Sequence, residues 1–299
     1  MRLARFRVPG QGAWLGVCER EAVWALAAPD SSPIESFEAL VELAGHARQS
    51  SREVLTRLRR LEPAYSYRDL DRPPTPQGPH LLRPVVPPEV WAAGVTYERS
   101  REARLAETTT TGIYDKVYDA ERPELFLKAT AARCVGPNAP IGIRSDSRWT
   151  VPEPELAVVL DAEGAVLGYT LGNDMSARDI EGENPLYLPQ TKIYRACCSI
   201  GPTILLSDEP VERRLTLWCR IERQGREVFR GEVSTSRIRR PISELVAYLR
   251  RANDIPPMTV LLTGTGIVPP DEFACEEGDV IEIGADEIGV LRNPAIRVA

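Results

Sequence analysis

The chain has 299 residues, with 43 acidic side chains against 37 lysines and arginines, a net charge of −6. Arginine takes 34 of those 37, so the lysines are Lys116, Lys128 and Lys192 alone, and the two histidines are His46 and His80. That count excludes a histidine-rich zinc site and leaves a serine–histidine–aspartate hydrolase only two positions for its imidazole; the acidic balance, without a basic run, argues against nucleic acid as a partner.

The length allows one or two domains with a core that needs no covalent staples. No apolar run approaches about 18 residues, and the start of the chain has no apolar signal region, so a cytoplasmic protein with no membrane partner is expected. The six cysteines form no C-x-x-C pair and read as reduced, buried, small hydrophobic side chains. Where only surface charge is needed arginine serves. A compact ammonium with a movable pKa is what lysine alone offers, so the three lysines are the first candidates for chemistry.

In chain order, residues 2–8 and 13–27 read as strands, punctuated by glycines. Residues 33–60 carry helical periodicity, with Ser32, Pro33 and Glu35 as an expected N-terminal capping signal. Asp71–His80 holds four prolines in ten residues, an extended connector. The expected division is a small N-terminal α/β domain over 1–70, a connector over 71–87 and a mainly β domain over 88–299. Within the last, Val90–Val95 reads as a strand, Glu98–Ala106 as a helix and Thr108–Thr111 as a loop too polar to pack. Glu124–Ala129 reads as a strand with Glu124, Phe126 and Lys128 on one face. Leu156–Asp161 and Ala165–Leu171 form an expected hairpin turning at Glu163-Gly164. Strands near 203–206, 215–222, 227–233, 259, 280 and 290 and a helix over 242–251 complete the reading.

The chemistry concentrates in VPEPELAVVLDAEGAVLGYTLGNDMSARD. Glu153 and Glu155 lie two apart, which on extended chain puts both on one face about 6.6 Å apart. Pro152 and Pro154 flank Glu153 and point to an irregular edge. The hairpin returns Asp174 opposite residues 151–155. Three carboxylates with no nitrogen or sulfur donor suit a hard cation such as Mg²⁺ or Ca²⁺. Downstream, Lys192 lies in a mixed polar and aromatic context beside Tyr187 and Tyr194; near a bound cation it could act as a base. Thr263–Gly266, reading TGTG, offers a turn whose N–H groups and hydroxyls can hold a carboxylate.

EPELAVVLD, the hairpin, GNDMSARD, Lys192 and the TGT turn together resemble the fumarylacetoacetate hydrolase family over about Pro88 to Val298. The resemblance implies an α+β, mainly β fold, a mixed β-roll, and a homo-oligomer, dimer or tetramer. It implies Glu153, Glu155 and Asp174 as ligands of Mg²⁺, with Mn²⁺ or Ca²⁺ as substitutes. Many members carry Asn-Tyr-x-x-His after the first strand of this domain; here Thr96-Tyr97-Glu98-Arg99-Ser100 puts Ser100 in the histidine's place. This departure, with YDKVYDAERPELFLKAT, RSDSRWTVPEPELAVVLD and ENPLYLPQTKIYRACC, is similar to a branch that dehydrates 2-keto-3-deoxy sugar acids in pentose catabolism. That branch implies Lys192 and Glu124 as the proton-transfer pair and Thr265, Ser100, Tyr97 and Lys128 around a small 2-keto acid substrate. The alternative is a C–C hydrolase or isomerase of the same family acting on an acylpyruvate or related acid.

Overall fold

The computed structural model describes residues 1–98, 118–207, 209–211 and 214–299. The expected helix over Glu98–Ala106, apart from its first residue, lies outside them, as do the Thr108–Thr111 loop, Ser100 and Lys116. The described residues are mainly β, in mixed sheets. None of their helices is long and apolar enough to cross a membrane.

The centre of the molecule is the hairpin Pro154–Leu160 and Val166–Asp174. Pro154–Leu160 is buried at every position, because its near-continuous apolar run is covered on both faces. On one side it pairs with Thr259–Thr265, which runs parallel to Glu89–Gly94, and that strand pairs with Glu124–Thr130. On the other side Val166–Asp174 pairs with Cys198–Leu205. A second, five-stranded sheet, from Ile141–Arg144 through Gly289–Val298, Val280–Ala285 and Thr216–Arg223 to Arg226–Ser234, packs against the first. Ile141–Arg144 runs parallel to Gly289–Val298.

The N-terminal strands Arg2–Val8, Gly12–Glu19 and Ala22–Ala27 extend the main sheet: Arg2 and Leu3 pair with Leu205 and Ile204 across the expected boundary. They also enclose a small core of their own around Phe6, Val23, Leu70 and Leu81. The helical stretch divides into Phe37–Ala47 and Ser51–Leu55. The expected cap at Ser32 is corrected here. Ile34 is drawn into backbone pairing with Leu26 and Leu15, so the first helix starts four residues later, with Ser36 accepting from the Ala39 N–H. The capping box belongs to the second helix, between Ser50 and Glu53. All six cysteines are free and buried.

Candidate active site

The site forms where the central hairpin opens. Pro152 and Pro154 bring no N–H to a ladder, so the chain breaks between the short strand Thr150–Val151 and Pro154–Leu160. Glu153 lies in that break. Pro154 nevertheless begins a central strand rather than an edge one, at the first residue, where proline is tolerated. Asp174 ends the returning strand, and its N–H donates to the Glu153 carbonyl at 3.0 Å. Glu155, one pleat further on, pairs with Gly172 on one side and Thr265 on the other.

One oxygen from each of Glu153, Glu155 and Asp174 lies within 4.8 Å of the others, and all three residues are buried. Three charges so close require compensation. Lys192 Nζ donates to Glu153 Oε2 at 2.7 Å, Ser176 Oγ at 2.6 Å and Asp174 Oδ2 at 3.1 Å. Arg178 donates to Glu153 Oε1 at 3.0 Å, and Lys128 Nζ lies 2.7 Å from Asp174 Oδ1. Three cations thus face three carboxylates. The donor set is all oxygen and buried, and it fits a hard divalent ion; the Lys192 ammonium sits among the oxygens that such an ion would face.

Glu155 is the exception to this pairing by side chains. It accepts from the Gly264 N–H at 2.5 Å. Burial, then repulsion from Asp174 and Glu153, pushes its pKa well above the usual carboxylate value. The Thr263–Gly266 segment is corrected from a turn to the end of the strand Thr259–Thr265, with a register shift opposite Glu155 and Ala157. Gly264 has φ +92° there, and a Cβ would overlap Thr96 Oγ1. Only glycine fits, and its N–H serves a carboxylate of the protein itself.

The cleft over the three carboxylates is walled by Gly94, Val95, Glu124, Phe126, Lys192 and Thr265. Glu124 faces Gly94 in register, and a Cβ at Gly94 would overlap the Glu124 carboxylate. The Phe126 ring centroid lies 5.3 Å from Lys192 Nζ, a favourable cation–ring distance. Val95 holds φ +51°, a strained setting for a β-branched residue that costs on the order of 1–3 kcal/mol.

The sequence-predicted residues therefore divide. Glu124, Lys192, Thr265 and the three acids share one cleft. The Thr265 hydroxyl donates to the Ile267 carbonyl at 3.1 Å and accepts from the Ile267 N–H at 3.2 Å, bonds that a substrate group would have to share. Tyr97 is buried beside a separate cavity of about 610 Å³, lined also by Phe229, Arg237 and Gly266. Burial, then the Glu155 charge, raises its phenol pKa. Lys128, expected at the substrate, does not line the cleft; it lies fully buried behind Asp174. Arg178, Ser176, Gly94 and Gly264 were missed. For Arg178 a signal existed: it follows Asp174 by four residues, and clustered buried acids demand nearby cations.

A family model described as fumarylacetoacetate (FAA) hydrolase C-terminal matches residues 89–296. The chain is 51% identical over 221 residues to the 2-dehydro-3-deoxy-D-arabinonate dehydratase of Saccharolobus solfataricus, covering 72% of this chain and 74% of that one. It is 47% identical over 220 residues to a Haloferax volcanii protein named "Probable 2-keto-3-deoxyxylonate dehydratase", covering 73% and 76%. A solved structure of 2-keto-3-deoxy-D-arabinonate dehydratase complexed with magnesium and 2,5-dioxopentanoate superposes with a TM-score of 0.82 at 40% identity, over 100% of this chain and 99% of that one. On sequence and on fold, the chain belongs to the fumarylacetoacetate hydrolase family.

Proposed function

We propose that this protein is a hydro-lyase that removes water from a 2-keto-3-deoxypentonate to give 2,5-dioxopentanoate, with Mg²⁺ as its cofactor. The observation that carries the reading is the Lys192 ammonium at 2.7 and 3.1 Å from two of three converging carboxylates, in a cleft that also holds Glu124. The names of its relatives support the same substrate class.

Glu153, Glu155 and Asp174 would hold the ion. When bound, Mg²⁺ supplies Lewis acidity toward the ketone oxygen of a 2-keto acid, which acidifies the C3 protons. Lys192, as the neutral amine once its ammonium proton has been given up, is assigned to take the C3 proton, and Glu124, in its protonated form, to deliver a proton to the departing C4 hydroxyl. Water leaves, and tautomerisation moves the remaining unsaturation to C5 as an aldehyde. Phe126 and the three carboxylates line the cleft in which the transfer takes place. Thr265 and Tyr97 are assigned to the substrate side, and Ser100, outside the described residues, is assigned with them. A cytoplasmic homo-oligomer, dimer or tetramer, acting in pentose catabolism completes the proposal.

The test is incubation with 2-keto-3-deoxypentonate and, separately, with acetylpyruvate, each with and without Mg²⁺. The proposal expects 2,5-dioxopentanoate from the first in the presence of Mg²⁺ alone, and intact acetylpyruvate. Cleavage of acetylpyruvate with no dehydration would replace it with the hydrolase reading.

A further inference from the structure

We infer that Lys128 is a positioning residue whose single ammonium fixes both a ligand of the proposed metal and the main chain that carries Lys192. Its side chain is fully buried. Nζ lies 2.7 Å from Asp174 Oδ1 and donates to the Met175 carbonyl at 2.7 Å and to the Lys192 carbonyl at 2.6 Å. Two hydrogen bonds to main-chain carbonyls and one ion pair with a carboxylate thus surround the single ammonium.

The arrangement answers a problem in the local fold. Lys192 ends a helix of five residues, Leu188–Lys192. So short a helix has little stability of its own, and its last carbonyls have no partner within it. Asp174 ends a strand, and Met175 follows it before the chain turns toward Ser176–Ala177. Sheet pairing with Cys198 holds the Asp174 end and one Ile193 N–H to Pro189 bond closes the helix, but neither ties the two ends to each other. Lys128 reaches both from the strand Glu124–Thr130, and it thereby sets the separation of Asp174 and Lys192. The Tyr194 ring centroid lies 5.6 Å from the ammonium.

A buried ammonium that only balanced charge would be replaceable by another cation. A positioning ammonium would not be, because the planar guanidinium fork of arginine cannot meet three acceptors set around one point. Lys128→Arg and Lys128→Met are therefore the informative pair. Mn²⁺ binding to the metal-free protein, read from the loss of the free-ion electron paramagnetic signal, reports ligand placement without any turnover. We expect Lys128→Arg to keep the wild-type far-ultraviolet circular dichroism while binding Mn²⁺ about 10- to 100-fold more weakly. We expect its kcat at saturating Mg²⁺ to fall with KM nearly unchanged, and Lys128→Met to show the larger loss. The kcat arm rests on the dehydratase proposal; the Mn²⁺ arm does not, so failure of one is distinguishable from failure of the other. Wild-type Mn²⁺ affinity in Lys128→Arg would reduce Lys128 to a replaceable charge and overturn the inference. Failure of both variants to fold would overturn it as well, since the role would then be structural.

Discussion

At the scale of single residues, charge placement decides what the site can do. Glu155 accepts from one backbone N–H, whereas Glu153 and Asp174 each face two cations. Burial first, then Asp174 and Glu153, therefore raises the Glu155 pKa. A carboxyl raised in this way stabilises the fold below its ordinary pKa, and that contribution is lost as pH climbs through the raised value. The metal-free protein should accordingly melt at lower temperature as pH rises through that window. An ion needs the carboxylate, so its binding expels the proton, and Mg²⁺ affinity should rise with pH. Calorimetric titration in two buffers of different ionisation enthalpy measures the released proton; affinity and heat independent of pH and buffer would contradict the assignment. The acids were legible in the sequence because two lie on one pleat and the third returns by a short hairpin. The role of Lys128 was not, because strand alternation gives the face but not how deep a long side chain reaches.

At the scale of elements, the strands Glu89–Gly94 and Glu124–Thr130 form the wall opposite the acids. The three nearest atoms that a Cβ at Gly94 would meet belong to the Glu124 side chain, whose carboxylate end is flexible. Gly94→Ala should thus leave the melting temperature nearly unchanged while displacing the Glu124 carboxylate and lowering kcat by about 10²-fold or more, the lower range for a misplaced acid–base group. Full activity in Gly94→Ala would remove Glu124 from proton transfer. The same strands show what periodicity can and cannot say. Glu124 and Phe126 line the cleft together, whereas Lys128 stands at a register shift of the strand and reaches Asp174 instead. The Thr263–Gly266 segment looked like a free turn because its residue types suit one. Its actual shape depends on a register shift against the neighbouring strand, a long-range feature that no local pattern carries. The misplaced helix start has the same origin, since cross-strand pairing of Ile34 overrode a good local capping signal.

At the scale of the whole molecule, the hairpin that carries the acids sits in the middle of a sheet continuous with the N-terminal strands. Arg2 and Leu3 cover the edge of Cys198–Leu205, which is buried along its length. A chain reduced to residues 88–299 would bare part of that edge, and exposed apolar edges pair with one another. We expect that fragment to aggregate by size-exclusion chromatography while the full chain stays dispersed; a dispersed, folded fragment would show that the N-terminal strands are dispensable to the fold. The proline-rich connector suggested a division because composition changes there, but composition does not reveal which distant strands pair. The central claim is that Lys192 moves a proton beside a carboxylate-held cation. Turnover of 2-keto-3-deoxypentonate by Lys192→Met at saturating Mg²⁺, with Mn²⁺ binding followed in parallel, tests it most directly. The structure predicts a fall in kcat of about 10²–10⁴-fold with metal affinity kept or increased, because the competing ammonium is gone; turnover at the wild-type rate would contradict it.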